Sequence, residues 1–312
     1  MAKELEFSIN CLPWTAAKIN KIIASLKVGG TITFAFGFDD LKYLQILNNK
    51  IFQRRDDILF HIWSVADNRV LAQNELGMLA NMSFVKRLKM SGFKNTSLSL
   101  LQSMDFIEEL ILAPSKKLDI SFLQNFKNLK KLRLFGANSV DVLENNTNLE
   151  YLYLQTTIKS YEFARKLLKL KTVIIDRCIS THDFSPLNQP SIEYLGIHSL
   201  KMLDNIDSIA AFSHLKEFHL DAARIKTLPS LEKLQNLRKL KLGLMKVWEN
   251  PDILKTIPNL EELEMSEVNT KLKADDFYFL KDMKSLKILD YRFIDFNKTR
   301  IEKLNRFFKE NN

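Results

Sequence analysis

Cysteine is nearly absent: the 312 residues contain only Cys11 and Cys178, far apart and in no CxxC or Cys/His ligand spacing. A disulfide framework is therefore excluded as the source of stability. Glycine and proline are sparse, at 8 and 7 residues, and no Pro-, Gly- or Ser-rich linker or low-complexity tract interrupts the chain. No stretch approaches the roughly 18 continuous apolar residues that a membrane helix requires. The opening Met-Ala-Lys-Glu-Leu-Glu-Phe carries acidic charge without an apolar run, so neither a signal peptide nor a lipid-attachment motif is read there, and the expected compartment is the cytoplasm. Catalytic signatures are missing too. Gly29-Gly30 lacks the Gly-Lys-Ser/Thr of a phosphate loop, and there is no HExxH, GxSxG or kinase-like set.

What the sequence does contain is a six-residue apolar comb with teeth at positions 1, 4 and 6. It reads Val85/Leu88/Met90, Leu129/Leu132/Leu134, Ile192/Leu195/Ile197, Leu260/Leu263/Met265 and Leu286/Leu289/Tyr291, among ten occurrences. Their first positions are 85, 107, 129, 149, 170, 192, 215, 237, 260 and 286, so the steps run from 20 to 26 residues. A fixed period of this size marks a solenoid. Side chains of a strand alternate between faces, so positions 4 and 6 share the core side while 3, 5 and 7 share the other. One strand with its return arm cannot bury that inward face alone; stacked neighbours can. The arms are legible in Leu123, Phe126 and Leu129, and in Leu228, Leu231, Leu234 and Leu237.

The first eighty residues follow a slower beat. Leu5/Phe7/Ile9, Ile32/Phe34/Phe36 and Ile58/Phe60/Ile62 alternate as strands. Between the first two, Ile19, Ile22, Ile23 and Leu26 define a helix with Thr15 as cap and Gly29-Gly30 as stop. Between the second and third, Asp39 or Asp40 caps a helix carrying Leu41, Leu44 and Leu47. Such a β-α-β-α-β series makes parallel strands, so residues 1–82 are read as longer α/β capping units continuous with the sheet of residues 83–297. At residues 298–312, Ile301, Leu304, Phe307 and Phe308 mark a helix covering the last core edge. Its Lys298, Arg300, Lys303, Arg306 and Lys309 make a docking helix the alternative.

With the comb in view, the chain resembles the leucine-rich repeat family over roughly residues 80 to 295, and its repeat length is similar to that of the internalin-like bacterial class. The resemblance implies an α/β fold: a leucine-rich repeat solenoid with a curved parallel sheet. It departs from the family at position 9. Asn or Cys is usual there, but Phe93, Ser115, Ala137, Leu200 and Val268 stand in that place, with Cys178 the one match. The turn groups of an irregular stack must then pair with each other or with water.

The resemblance also implies a mode of recognition: a non-catalytic scaffold that binds another protein through its concave sheet, as a monomer and without cofactors. An intracellular inhibitor or immunity protein is the concrete version. The formal charge of +9 hints at nucleic acid, yet positions 3, 5 and 7 of the ten repeats hold seven positive and seven negative residues, so a phosphate track is not expected there. The candidate protein-binding residues on that face are Arg133, Phe135, Tyr151, Tyr153, Asp176, Tyr194, His198, His219 and Asp221. Tyrosine suits interfaces because its ring is large and its hydroxyl remains useful when desolvated. Two alternatives stay open. Asp176, His198 and Asp221, each at position 7 of three successive repeats, form a row that a metal-dependent enzyme could use, and a nucleic-acid or anionic-surface binder is the other.

Overall fold

The computed structural model describes residues 6–9, 14–64, 69–294 and 298–310; Leu5 and Cys11 lie outside them. The chain divides into two compact units, Met1–Thr156 and Thr157–Asn312. The first holds seven parallel strands in chain order: β1 (Glu6–Ile9), β2 (Leu26–Phe36), β3 (Leu59–Ser64), β4 (Arg87–Ser91), β5 (Glu109–Ala113), β6 (Lys131–Phe135) and β7 (Tyr151–Gln155). Helices α1 (Ala16–Ser25), α2 (Lys42–Leu47) and α3 (Gln73–Ala80) return the chain between the early strands, and single 3-10 turns such as Ser121–Asn125 do so after β4. The second unit holds β8 (Thr172–Asp176), β9 (Tyr194–His198), β10 (Glu217–Asp221), β11 (Lys239–Gly243), β12 (Glu262–Ser266) and β13 (Ile288–Phe293), again parallel, followed by α4 (Lys298–Glu310).

The comb sets the register. Leu88, Leu110, Leu132 and Leu152 are paired across β4 to β7, and Val173, Leu195, Phe218, Leu240 and Leu263 across β8 to β12. All are buried, because a slip by one residue would turn every tooth into solvent. The return-arm residues Leu123, Phe126, Leu231 and Leu234 close the other side of each core. In the first unit Phe60 and Ile62 of β3 lie in register with Leu88 and Met90, so β3 and β4 belong to one sheet.

Two local readings change. Thr15 does cap α1, accepting from the Lys18 N–H at 3.2 Å, but Gly29-Gly30 is not the stop. The helix ends where Leu26 turns extended and enters β2. The glycines sit in a bulge of that strand, between the pairs Glu6/Leu26 and Ser8/Thr31. Gly29 has φ +73° there and its N–H donates to Asp57 Oδ2 at 2.9 Å; a Cβ would strain that conformation. At the far end, Arg300 does not belong to a basic docking surface: it is 5% exposed, and its guanidinium donates to the carbonyls of Asn269 and Leu272. Leu304 is buried, and Phe307 stacks on Tyr278 at 3.7 Å. α4 is thus the C-terminal cap.

The turn groups find their partners at position 8. There Gly92, Gly136, Arg177, Ser199, Leu244 and Glu267 all take positive φ. The N–H of Gly92, Gly136, Arg177, Ser199 and Leu244 donates to the last strand carbonyl of the following repeat, at 2.9–3.3 Å. Buried Asn95, Asn146 and Asn269 add side-chain bonds to the carbonyls of Leu71, Leu123 and Trp248. The missing position-9 ladder is replaced by these two sets. Cys178 fills its turn as a buried side chain, 7% exposed. His182 faces Asp204 at 3.2 Å.

Candidate functional site

The residues opposite the core form a side-chain surface on each unit, and the predicted residues fall on both. In the first unit, β6 and β7 lie side by side with Lys131 opposite Tyr151 and Arg133 opposite Tyr153. The Arg133 guanidinium lies 5.5 Å from the Tyr151 ring and 6.0 Å from the Tyr153 ring, within cation–π range. Phe135 meets Tyr153 at 5.1 Å, and the Tyr153 hydroxyl donates to Gln155 Oε1 at 3.3 Å. The three rings are half-buried, whereas Lys131 and Arg133 are exposed. These four predicted residues are therefore one contiguous cluster on two neighbouring strands.

Beside it, Arg87 pairs with Glu109 at 2.8 Å and also donates to the Asp57 carbonyl. Arg87, Glu109, Leu110, Lys131, Arg133 and Tyr151 line a depression of about 170 Å³. His61 and Trp63 of β3 share the same face; sequence reading missed both, although they are the alternate residues to Phe60 and Ile62. His61 Nε2 lies 2.8 Å from Ser91 Oγ. Burial, with the Lys89 charge adding to it, pushes its pKa down to about 4. Trp63 is 40% exposed.

In the second unit Tyr194 and His198 on β9 face Glu217, His219 and Asp221 on β10. His219 Nε2 is 2.6 Å from Glu217 Oε1, and its Nδ1 is 2.8 Å from the Tyr194 hydroxyl. A carboxylate can only accept, so Nε2 carries the proton, and in the neutral ring Nδ1 accepts from Tyr194. Burial lowers the His219 pKa against the pull of Glu217, which favours that neutral form. His198 Nδ1 donates to Asp221 Oδ2 at 2.7 Å. Two glycines make the packing possible, and neither was singled out from sequence. A Cβ on Gly196 would stand 2.8 Å from His198 Nε2, and one on Gly243 only 2.0 Å from Asp221 Oδ1. A glycine at a face position of a strand is the signal that could have found them.

Asp176 stands in register with His198, which in turn pairs with Asp221, and its carboxylate meets the Arg177 guanidinium at 3.1 Å. Among the described residues no group of three His, Cys, Asp or Glu side chains is placed to hold a metal ion. The arrangement is one of mutually satisfied hydrogen-bonding groups on a rigid surface, suited to contact and to polar recognition.

Charge is divided unevenly. The repeat strands of the first unit carry Arg87, Lys89, Lys131 and Arg133 against Glu109 on this face. Those of the second carry Lys239, Lys241 and Arg292 against Asp176, Glu217, Asp221, Glu262, Glu264 and Asp290. The balance over all ten repeats is thus the sum of a basic face and an acidic one. In the second unit each cation is matched: Lys239 lies 3.5 Å from Glu217 and Glu262, Lys241 2.7 Å from Glu264, and Arg292 2.5 Å from Asp290.

No family model matches the chain, and no curated protein matches it. Among solved structures it is similar to an internalin (inlF) from Listeria monocytogenes, at 18% identity over 80% of this chain and 87% of that one, with a TM-score of 0.47. It is also similar to internalin C2 of the same species, at 22% identity over 53% and 72% of the two chains, with a TM-score of 0.41. A third is a chain of the Toll–Spätzle complex of Drosophila, at 14% identity over 91% and 42%, with a TM-score of 0.47. Among the described residues no helix is long and apolar enough to cross a membrane. One strand per repeat, parallel pairing in comb register and a 20- to 26-residue period make the fold a leucine-rich repeat solenoid.

Proposed function

We propose that this protein is a non-catalytic scaffold that recognises another protein through the exposed strand faces. The cluster of Arg133, Phe135, Tyr151 and Tyr153 anchors the contact, and Asp176, Tyr194, His198, His219 and Asp221 serve as polar contacts on the second unit. The observation that carries this reading is the packing of Arg133 over both tyrosines with Phe135 against Tyr153. Aromatic and arginine side chains dominate interface energetics. Here they are held on strands by one another, so little side-chain freedom is left to lose on binding.

The same surface suits a narrower role, that of a monomeric intracellular inhibitor or immunity protein that covers the working site of an enzyme or toxin. Affinity capture from the source cells, followed by titration of the captured protein, tests both. Tyr151→Ala with Tyr153→Ala is expected to weaken that complex by roughly 30-fold or more, the effect of losing about 2 kcal/mol at a hot spot, with the melting temperature nearly unchanged. Undiminished affinity refutes the assignment. Loss of the captured protein's activity on saturation supports the inhibitor role; unchanged activity rejects it.

A further inference from the structure

Resting on the protein-binding reading, we infer that the first unit's face takes an acidic, extended segment of the partner, its carboxylates seated on Lys89, Lys131 and Arg133 and its apolar side chains against Tyr151 and Tyr153. The charge pattern points to this occupant. Of the four cations on β4 to β6, Arg87 is already engaged by Glu109, while among the described residues Lys89 and Lys131 have no carboxylate partner and Arg133 faces only rings. The cations of the second unit's face, by contrast, are each matched by an acid.

Spacing fits as well. Lys131 and Arg133 are two residues apart on one strand, about 6.6 Å, which is the pitch at which an extended segment presents alternate side chains. Lys89 stands in the same row as Arg133, two strands away, about 10 Å at ordinary strand spacing. The depression of about 170 Å³ is lined by Lys131 and Arg133 together with Tyr151, so an apolar side chain can enter beside the charged ones. A nucleic acid fits this pattern less well. Glu109 sits in register between Arg87 and Lys131, which interrupts a phosphate track but leaves separate carboxylate seats intact.

The test uses the full chain and three labelled probes: a short peptide with Glu, Asp, Leu and Tyr at successive alternate positions and Ser between them, so that all four share one face when extended, its counterpart with Gln and Asn in place of the acids, and an oligothymidylate of equal charge. The acidic peptide is expected to bind, to weaken with added salt, and to bind roughly ten-fold more tightly than the neutral peptide, as two exposed charge contacts allow. Lys89→Gln with Lys131→Gln should remove that advantage, whereas Lys239→Gln with Lys241→Gln on the other unit should not. Equal binding of the neutral peptide, no effect of the first variant pair, or tighter binding of the oligothymidylate would overturn the inference. Neither variant pair touches the tyrosines, so the two readings fail separately. An acidic peptide that does not bind, beside a captured partner that still depends on Tyr151 and Tyr153, refutes only the acidic occupant. An acidic peptide that binds as expected supports it even where the captured partner ignores the tyrosines.

Discussion

His61 makes the stability of this protein depend on pH, and replacing it should flatten that dependence. Its imidazole is held between Thr33 and Ser91 and near Lys89, with burial as the main reason that its pKa falls from 6.5 to about 4. The folded state thus disfavours the proton that the unfolded chain accepts. This stabilisation is fully present above pH 6.5 and is lost as pH falls through the window, the loss being complete near pH 4. The full shift corresponds to roughly 3 kcal/mol at 1.36 kcal/mol per pH unit. Because the ring keeps partial access to water, solvent screening reduces the expected effect to about 1–2 kcal/mol. His219 is shifted in the same direction, so the comparison is made between wild type and His61→Gln. Asp57, held down to about 2 by Arg55, loses its contribution only below its ordinary carboxylate range. Urea unfolding between pH 4 and pH 7.5 should show the wild type losing about 1–2 kcal/mol more than His61→Gln on acidification. Parallel pH profiles for the two proteins would refute the burial of His61 on this face.

Two further substitutions probe the backbone that carries the site. Ser199→Gly should stabilise the protein by about 0.5–1 kcal/mol in the same unfolding assay, since the exposed serine holds φ +53° and glycine removes the left-handed penalty at some cost in chain entropy. Gly243→Ala should drive Asp221 off His198, because its Cβ would overlap Asp221 Oδ1. The downfield Nδ1 proton signal of His198 should then be lost from the NMR spectrum, with a destabilisation of about 1–3 kcal/mol for the broken charge-assisted bond; an unchanged signal would contradict the packing.

The comb was legible because the core admits only apolar residues at positions 4 and 6, and parallel strands bring equivalent positions together. Lys131 beside Tyr151, and His198 beside Asp221, follow from that rule alone, whereas Tyr194 against His219 and Phe135 against Tyr153 are diagonal contacts between positions two apart. The turns were not legible. Position 8 takes left-handed backbone at Arg177, Ser199, Leu244 and Glu267 as well as at Gly92 and Gly136; the ladder of carbonyl partners overrides the residue preference, so composition there carries little signal. Gly29-Gly30 was misread because a glycine pair after a helical stretch is an ordinary stop signal, whereas Leu26, buried in the core, had already turned the chain into a strand. Arg300 was misread because helical spacing alone does not show that three backbone carbonyls lie within its reach. Asp176 does stand in the polar row, in register with His198, but its contact with Arg177, which holds a positive φ, was not legible.

The proposed binding surface consists of the alternate strand residues and not the return arms. Hydroxyl-radical footprinting of the captured complex reads both at once, since Phe135, Tyr151 and Tyr153 lie on the strand face while Phe84 and Leu100 are exposed outside the strands of the same unit. Oxidation of the two tyrosines and Phe135 is expected to fall on binding while Phe84 and Leu100 react as before. Protection of Phe84 and Leu100 with the tyrosines unchanged would contradict it.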